Sequence, residues 1–361
     1  MILTIDLRMI EASGIGTYLQ NLIPLIIHHY SKTSFNLLGD RQQLSPYEWT
    51  HGKNIRIIEC RAPIYSIAEQ IELYRKIPRN TTLFWSPHYT IPILYQGKLL
   101  VTVHDVCHLA MPEYLSGIHQ RWYAKLMFKI LIYKANAILT VSQFTKSELM
   151  KFTNCKDEKI HPIHIGISQS WYDVKKQEKS LAKPFLLFVG NVKPHKNLVG
   201  LLKALTLLVD KVPHDLVIVG KKEGFINGDA NVFELAKTLG DRVNFTGYVD
   251  DNTLKQYFVH ADGLVFPSLY EGFGLPPLEA MACGCPVLVS NVASMPEVCG
   301  NAAVYFDPYR SEDIAEQILN LLSNEKLRDE LRQKGLVRAQ QFTWEKCADN
   351  VIAVIEEVLA Q

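Results

Sequence analysis

Residues Ser268–Pro286 read SLYEGFGLPPLEAMACGCP, which sets Glu271 and Glu279 eight positions apart around two glycines and a double proline. Proline has no N–H and a fixed φ, so Pro276 and Pro277 suit the first turn of a helix and fit poorly in its interior. Glu271 therefore falls in the preceding loop, and Glu279 in the first turn or so of the helix. The two carboxylates are not partners on one helical face. Gly272 and Gly274 let the loop backbone approach a ligand closely and leave N–H groups to donate. Carboxylates accept hydrogen bonds from hydroxyl groups, so a sugar and a ribose would each suit one of them. Gly284 near the C-cap and Pro286 beyond it end the helix quickly. A capped helix with one N-terminal glutamate accounts for Glu279 but leaves Glu271 and the glycine loop unexplained.

Outward from this stretch, short apolar runs alternate with longer helical patterns, the pattern of βα units and parallel sheets. The first half has strand candidates at MILTIDL, NIRIIE, TLFWSP, KLLVTVHD and AILTVS, and the second at PFLLFVG, DLVIVG, VNFTG, GLVFPS and PVLVS. Two sets of about five strands imply two doubly wound domains. Between them lies the charged, aperiodic segment KIHPIHIGISQSWYDVKKQEKSLAKP, which places a linker at about 168–183. A ligand crevice is expected at the carboxyl ends of the strands. The tail from Thr343 is an amphipathic helix.

At 361 residues and 48% hydrophobic, the chain is long enough for two cores. It has no uncharged apolar run of about 18 residues and no signal-peptide pattern at its start, so a cytoplasmic protein is expected. Seven scattered cysteines give neither a disulfide framework nor a CxxC metal pair, and Cys283-Gly-Cys285 reads as helix-end packing. Residues 1–170 hold 18 Lys and Arg against 12 Asp and Glu, and residues 171–361 hold 20 against 25. That asymmetry is too mild to imply nucleic acid.

In the first half, EASGIGTYLQNLIPLI follows a strand and opens a helix, so Gly14 and Gly16 could bring N–H groups to a phosphate. The dinucleotide fingerprint wants a third glycine, where this chain has Leu19, and a plain strand-to-helix turn reads the segment equally well. VTVHDV puts His104 and Asp105 at a strand's C-terminal end, where side chains meet ligands; a structural histidine is the alternative. Ser142 sits in an equivalent place, with a helix N-cap as its plainer reading. The segment HQRWYAKLMFKILIYKA carries Arg121, Lys125 and Lys129 opposite an aromatic and aliphatic face. It reads as a core-facing helix with a solvated basic stripe, or as a helix lying on a membrane surface.

In the second half, GNVKPHKNLVGLLKAL gathers Lys193, His195 and Lys196 at a helix start. The macrodipole disfavours cations there unless an anion is bound, and a diphosphate would resolve the conflict.

At these residues the chain resembles the family 4 glycosyltransferases, retaining enzymes of the GT-B architecture. The Glu, seven residues, Glu pattern in YEGFGLPPLEAMACGCPV matches, and SGIG, HD, VSQFT, IGIS, FVGNVKPHKN, FTGYVDDNTLKQYF and FTWEKCADNVIAVI follow in the family's order. The resemblance implies two Rossmann-like domains facing each other across a deep cleft. Residues 1–168 would bind acceptor, with a C-terminal helix 345–361 crossing back, and 169–344 would bind the nucleotide sugar. By the same resemblance Glu279 holds the ribose hydroxyls, and Glu271 with Gly272, Phe273 and Gly274 holds the donor sugar. Lys196 binds the diphosphate, helped by the amides around Gly14 and Gly16, and His104 sits beside the anomeric centre. The backbone at Tyr248 and Val249 meets the base; Asn191 and Leu275 belong to the same donor site. Many members carry arginine where this chain has Asn191, and others where it has His195, so diphosphate binding rests on Lys196.

The implied reaction moves a hexose from a nucleoside diphosphate sugar, of the UDP-glucose or GDP-mannose class, to a hydroxyl of a glycan or polyprenyl-linked saccharide, with retention of configuration. No two aspartates stand two apart to hold Mg2+, so no metal and no cofactor are expected, and Lys196 with helix N-termini would stabilise the leaving group. Association with the inner membrane face would suit the basic first half. The rival readings are a non-catalytic sugar-nucleotide-binding protein, a glycoside hydrolase with two carboxylates, and a sugar-nucleotide epimerase of the same fold class.

Overall fold

The computed structural model describes residues 1–114, 117–177, 183–220 and 230–361. The linker segment 168–183 lies partly outside them. The chain forms two compact units, one of Met1–Gly166 with Thr343–Gln361 and the other of Ile167–Phe342.

The first unit is built on a seven-stranded sheet of β1 (Ile2–Asp6), β2 (Ser34–Gly39), β3 (Ile55–Glu59), β4 (Leu83–Ser86), β5 (Leu99–Val103), β6 (Ala137–Thr140) and β7 (Ile160–Pro162), in the order β3-β2-β1-β4-β5-β6-β7. Every pairing is parallel. The sequence runs mark five of these strands, and β2 and β7 are additions. In β2, Asn36 interrupts the apolar run; it is buried, and its Nδ2 donates to Thr4 Oγ1 at 3.3 Å. β7 is three residues ending in proline, which an edge strand tolerates because one side of its ladder is unpaired.

The second unit has six parallel strands: β8 (Phe185–Val189), β9 (Asp215–Val219), β10 (Val243–Gly247), β11 (Gly263–Phe266), β12 (Val287–Ser290) and β13 (Val304–Phe306), ordered β10-β9-β8-β11-β12-β13. The edge strand β13, only three residues long, is the addition here. Both sheets are doubly wound and Rossmann-like. Their central strands are buried on both faces by helices, which is why they read as continuous rather than alternating apolar runs.

The helix Trp344–Ala360 belongs to the first unit. It is capped by Thr343, whose side chain accepts from Lys346 N, and buries Trp344, Val351, Ile355 and Val358. It packs on the helix Ser13–His29, with the Tyr18 and Trp344 rings 6.2 Å apart. Lys98 Nζ donates to the carbonyl of Leu359 near its end, at 2.9 Å. The chain passes between units at Gly166–Ile167 and Phe342–Thr343, and the two passes lie side by side. Ile167 N donates to Phe342 O at 3.0 Å. A Cβ on Gly166 would lie 2.2 Å from Trp344 N, a contact with backbone that no rotamer change relieves. Gly166→Ala should therefore lower the unfolding free energy by at least ~2 kcal/mol, measured by denaturant titration; an unchanged midpoint would contradict the close crossing.

Candidate functional site

In the second unit β8 is flanked by β9 on one side and β11 on the other. The connections leaving β8 and β11 run in opposite directions, and a crevice opens between them at the carboxyl ends of the strands. After β8 the chain makes a short helical turn, Pro194–Lys196, and Asn197 then takes a left-handed conformation with φ 54°. Asn197 caps the helix Leu198–Thr206 by accepting from Gly200 N, and its Nδ2 donates to Pro308 O at 2.7 Å. This fixes Lys196 at the rim. Lys196 Nζ meets Glu271 Oε1 at 2.5 Å, with both side chains mostly buried, and lies 5.5 Å from the centre of the Phe266 ring. Leu269 N donates to His195 O at 2.7 Å, tying the two loops together through backbone as well. Glu271 thus supplies an anion to Lys196, one of the three basic residues at this helix start.

The loop after β11 is held from below by a residue that its own sequence does not announce. Ser294 Oγ is placed at 3.0 Å from Glu271 O and 2.8 Å from Phe273 O. It follows Ala293, whose φ of 57° is unusual for a residue other than glycine. Gly274 has φ 102°, a left-handed backbone conformation that residues with a Cβ rarely adopt. The helix begins at Leu275, with Gly274 as N-cap and Pro276 and Pro277 in its first turn. It ends with Gly284 at φ 72°: Gly284 N donates to Met281 O and Cys285 N to Ala280 O, which satisfies its last carbonyls.

Glu279 is the fifth residue of this helix, just past its first turn. Burial pushes its carboxyl up to about 8; Asp251 adds to the shift and Lys255 opposes it. Both neighbours lie on the helix Asp251–His260, which packs on the helix of Glu279. No hydrogen bond to the Glu279 carboxylate occurs among the described residues, so its acceptor capacity is unused. Tyr248, 73% exposed, and Val249 stand three and two residues before Asp251, just past Gly247 at φ 78°. Asn191 is half-buried in the loop after β8, where its carbonyl accepts from Lys193 N.

The remaining candidates lie in the first unit. Gly14 is exposed in the first turn of the helix Ser13–His29. Gly16 N already bonds to Ala12 O, and a Cβ on Gly16 would lie 2.4 Å from Ile10 O. Its glycine is thus explained by packing and its N–H by the helix. His104 follows β5; its Nε2 lies 3.1 Å from Pro87 O and its ring meets Tyr18 edge-on at 5.0 Å. A carbonyl only accepts, so Nε2 carries the proton and Nδ1 of the neutral ring is an acceptor. Burial lowers its pKa to about 4, which keeps it neutral. Ser142 takes its plainer role: it is the N-cap of the helix Gln143–Thr153.

The structure therefore brings Lys196, Glu271, Gly272, Phe273, Gly274, Leu275 and Glu279 onto two adjoining loops and one helix of the second unit, while Gly14, Gly16 and His104 belong to the first. Asp251, Lys255 and Ser294 were missed by sequence reasoning. Asp251 and Lys255 carry a helical spacing of four that any solvated face shares, and Ser294 carries no signal.

Two doubly wound units with a cation and a carboxylate at one switch point define a GT-B α/β protein. Residues 170–338 match the family model "Glycosyl transferases group 1" and residues 73–171 the model "Glycosyltransferase Family 4". The O-antigen chain mannosyltransferase B of Escherichia coli is 32% identical over 283 residues, covering 75% of this chain and 73% of that one. The O-antigen chain mannosyltransferase RfbU of Salmonella typhimurium is 32% identical over 243 residues, covering 67% of this chain and 65% of that one. The chain belongs to the family 4 type of glycosyltransferase. Sucrose-phosphate synthase from Thermosynechococcus elongatus shares the fold, with a TM-score of 0.78, 18% identity and 99% of each chain covered.

Because Glu279 holds its proton more tightly when folded than its ordinary value of 4.5 allows, the folded state binds the extra proton between about 4.5 and about 8. Stability from this group is full below that window and is lost as pH rises through it. Glu279→Gln should flatten the fall in melting temperature between pH 5 and 8; an identical pH profile in the two proteins would contradict the burial of this carboxyl. Ser294→Ala should cost about 1 kcal/mol through loss of the single hydroxyl proton that the Glu271 and Phe273 carbonyls share, read from denaturant midpoints.

Proposed function

We propose that this chain transfers mannose from GDP-mannose to a hydroxyl of a growing polysaccharide, with retention of configuration and without a metal ion. The observation that carries the reading is the Lys196–Glu271 pair at the switch point of the second unit. The similarity to O-antigen mannosyltransferases supports mannose over glucose. In this reading Glu279 accepts the ribose hydroxyls, Tyr248 and Val249 meet the base, and Asn191 lies beside the diphosphate. Glu271 and the backbone of Gly272, Phe273, Gly274 and Leu275 hold the sugar, and Lys196 binds the diphosphate next to them. In the first unit, the exposed amide of Gly14 and the Nδ1 acceptor of His104 remain available to substrate groups.

The bond between the anomeric carbon and the diphosphate oxygen breaks, and one forms to the acceptor oxygen on the same face. The acceptor proton passes to the departing diphosphate. Charge grows on the leaving group, and a cation already fixed within a mostly buried pair stabilises it without reorganising. Lys196→Ala should lower kcat/KM by about 100-fold or more, with GDP-mannose in excess chelator as the assay. Transfer that is abolished by chelator, or equal use of UDP-glucose, would contradict the metal and donor assignments respectively.

Membrane association rests on the helix Ile118–Lys134. Its exposed face differs from the one the sequence suggests. Trp122, Leu126 and Tyr133 are 69%, 53% and 88% exposed, on the same face as exposed Lys125 and Lys129, while Ala124, Met127, Phe128 and Leu131 are buried. Apolar and basic groups together suit the surface of an anionic membrane. No helix among the described residues is long and apolar enough to cross a bilayer. Cosedimentation with anionic vesicles at low salt should be lost in Lys125→Glu/Lys129→Glu; equal sedimentation of the variant would contradict this role.

A further inference from the structure

The first unit holds a second polar cluster, which the residues assigned above do not explain. Asp6 ends β1, and Arg8 follows two residues later. The Arg8 side chain, only 4% exposed, grips Asp6 through Nε at 2.9 Å and Nη2 at 2.6 Å, and reaches Glu69 Oε1 at 2.8 Å. Glu69 is fully buried in the first turn of the helix Ile67–Lys76. Its Oε1 also accepts from Thr90 Oγ1 at 3.1 Å, and its Oε2 accepts from Tyr65 N at 2.8 Å. Tyr65 is held at φ 67°, a left-handed conformation that an aromatic residue rarely adopts.

The circuit closes through the side chain of Tyr65. Its hydroxyl lies 3.0 Å from His88 Nε2, and His88 Nδ1 lies 3.0 Å from Thr90 Oγ1. The Glu69 carboxylate only accepts, so the Thr90 hydroxyl donates to it, while His88 Nδ1 lies against that hydroxyl oxygen and also accepts from Thr90 N at 3.3 Å. Burial lowers His88 to about 3 and keeps the ring neutral beside the Tyr65 hydroxyl. The Tyr89 hydroxyl is a second hydrogen-bond partner of the Tyr65 hydroxyl.

Both backbone and side chain of Tyr65 are thus pinned by buried groups, yet its side chain is not itself a core residue: Tyr65 is 44% exposed. Strained residues held by an over-determined network occur mostly where a ligand is positioned. Arg8 Nη1 is buried with no partner among the described residues, which packing alone would not select. Around Tyr65 stand the rings of Tyr89, His108 and Tyr123, with centres at 5.7, 6.0 and 6.4 Å. Asp105, exposed, acts electrostatically on the hydroxyls of both Tyr65 and Tyr89. Its Oδ1 accepts from Cys107 N at 2.9 Å, leaving Oδ2 for a second donor.

An exposed ring beside a carboxylate fits one ligand chemistry well. A pyranose has a face of C–H bonds that packs on an aromatic ring, and hydroxyls that donate to carboxylates. We propose that Tyr65 and Asp105 form a saccharide subsite for the acceptor, with the Tyr65 ring packing on the terminal sugar and the Arg8–Glu69–Thr90–His88 circuit as its positioning device. This rests on the glycosyltransferase reading, and it adds the residues that recognise the acceptor sugar.

The test is saturation-transfer NMR on the full chain with methyl glycosides of mannose, glucose, galactose and N-acetylglucosamine, alongside calorimetry with GDP-mannose and UDP-glucose. At least one glycoside should bind. Tyr65→Gly, which suits the left-handed backbone and so preserves folding, should weaken that binding at least tenfold, as should Asp105→Asn. Tyr65→Phe keeps the ring and should stay within threefold of wild type. Glycoside binding that survives Tyr65→Gly overturns the proposal. Nucleotide-sugar binding without binding of any glycoside overturns it too, while leaving the enzyme reading intact; binding of neither class of ligand removes both.

Discussion

Lys196 and Glu271 meet across two loops that the sheet topology sends in opposite directions. A doubly wound sheet opens a crevice at its switch point, and what fills it decides what the fold does. Here an ammonium and a carboxylate, 2.5 Å apart and mostly buried, occupy that point. Removing one partner of such a pair strands the other, so the pair constrains both loops at once. The backbone bond from Leu269 to His195, the cap of Asn197 and the Ser294 hydroxyl on the Glu271 carbonyl then fix how the pair is presented. In the proposed reading, a diphosphate arriving there would find a cation whose position is already determined.

The two glutamates differ in environment, and the proposed division of their roles follows that difference. Glu271 is satisfied by a cation, whereas Glu279 sits where burial and Asp251 outweigh Lys255 and raise its carboxyl to about 8. A carboxylate left without hydrogen bonds is costly when charged. Hydroxyl donors from a ribose would lower that cost, so binding there draws on energy that the apo fold leaves unspent.

The opening stretch disclosed much of this because proline and glycine are strict about backbone. Pro276 and Pro277 located the helix start, Gly284 located its C-terminal end, and Glu279 fell just past the first turn, where the prolines put it. Lys193, His195 and Lys196 announced an anion through the helix dipole, but the anion in place is a side chain 75 positions beyond Lys196, which local sequence cannot reveal. Strand β2 was hidden by Asn36, a polar residue whose burial depends on Thr4 in a neighbouring strand. The Arg8–Glu69 contact spans 61 positions, and Ser294 supports its loop from 23 positions beyond Glu271. Such pairings exist only once the sheets have brought their loops together. On the helix Ile118–Lys134, sequence periodicity gave a face but not which residues share it with solvent.

The central claim is the division of labour among Lys196, Glu271 and Glu279, and calorimetric titration of GDP and GDP-mannose into the three alanine variants addresses it most directly. The account predicts that Lys196→Ala and Glu279→Ala weaken both ligands, while Glu271→Ala weakens GDP-mannose much more than GDP. Equal losses for both ligands in all three variants, or unchanged affinity in Lys196→Ala, would contradict it.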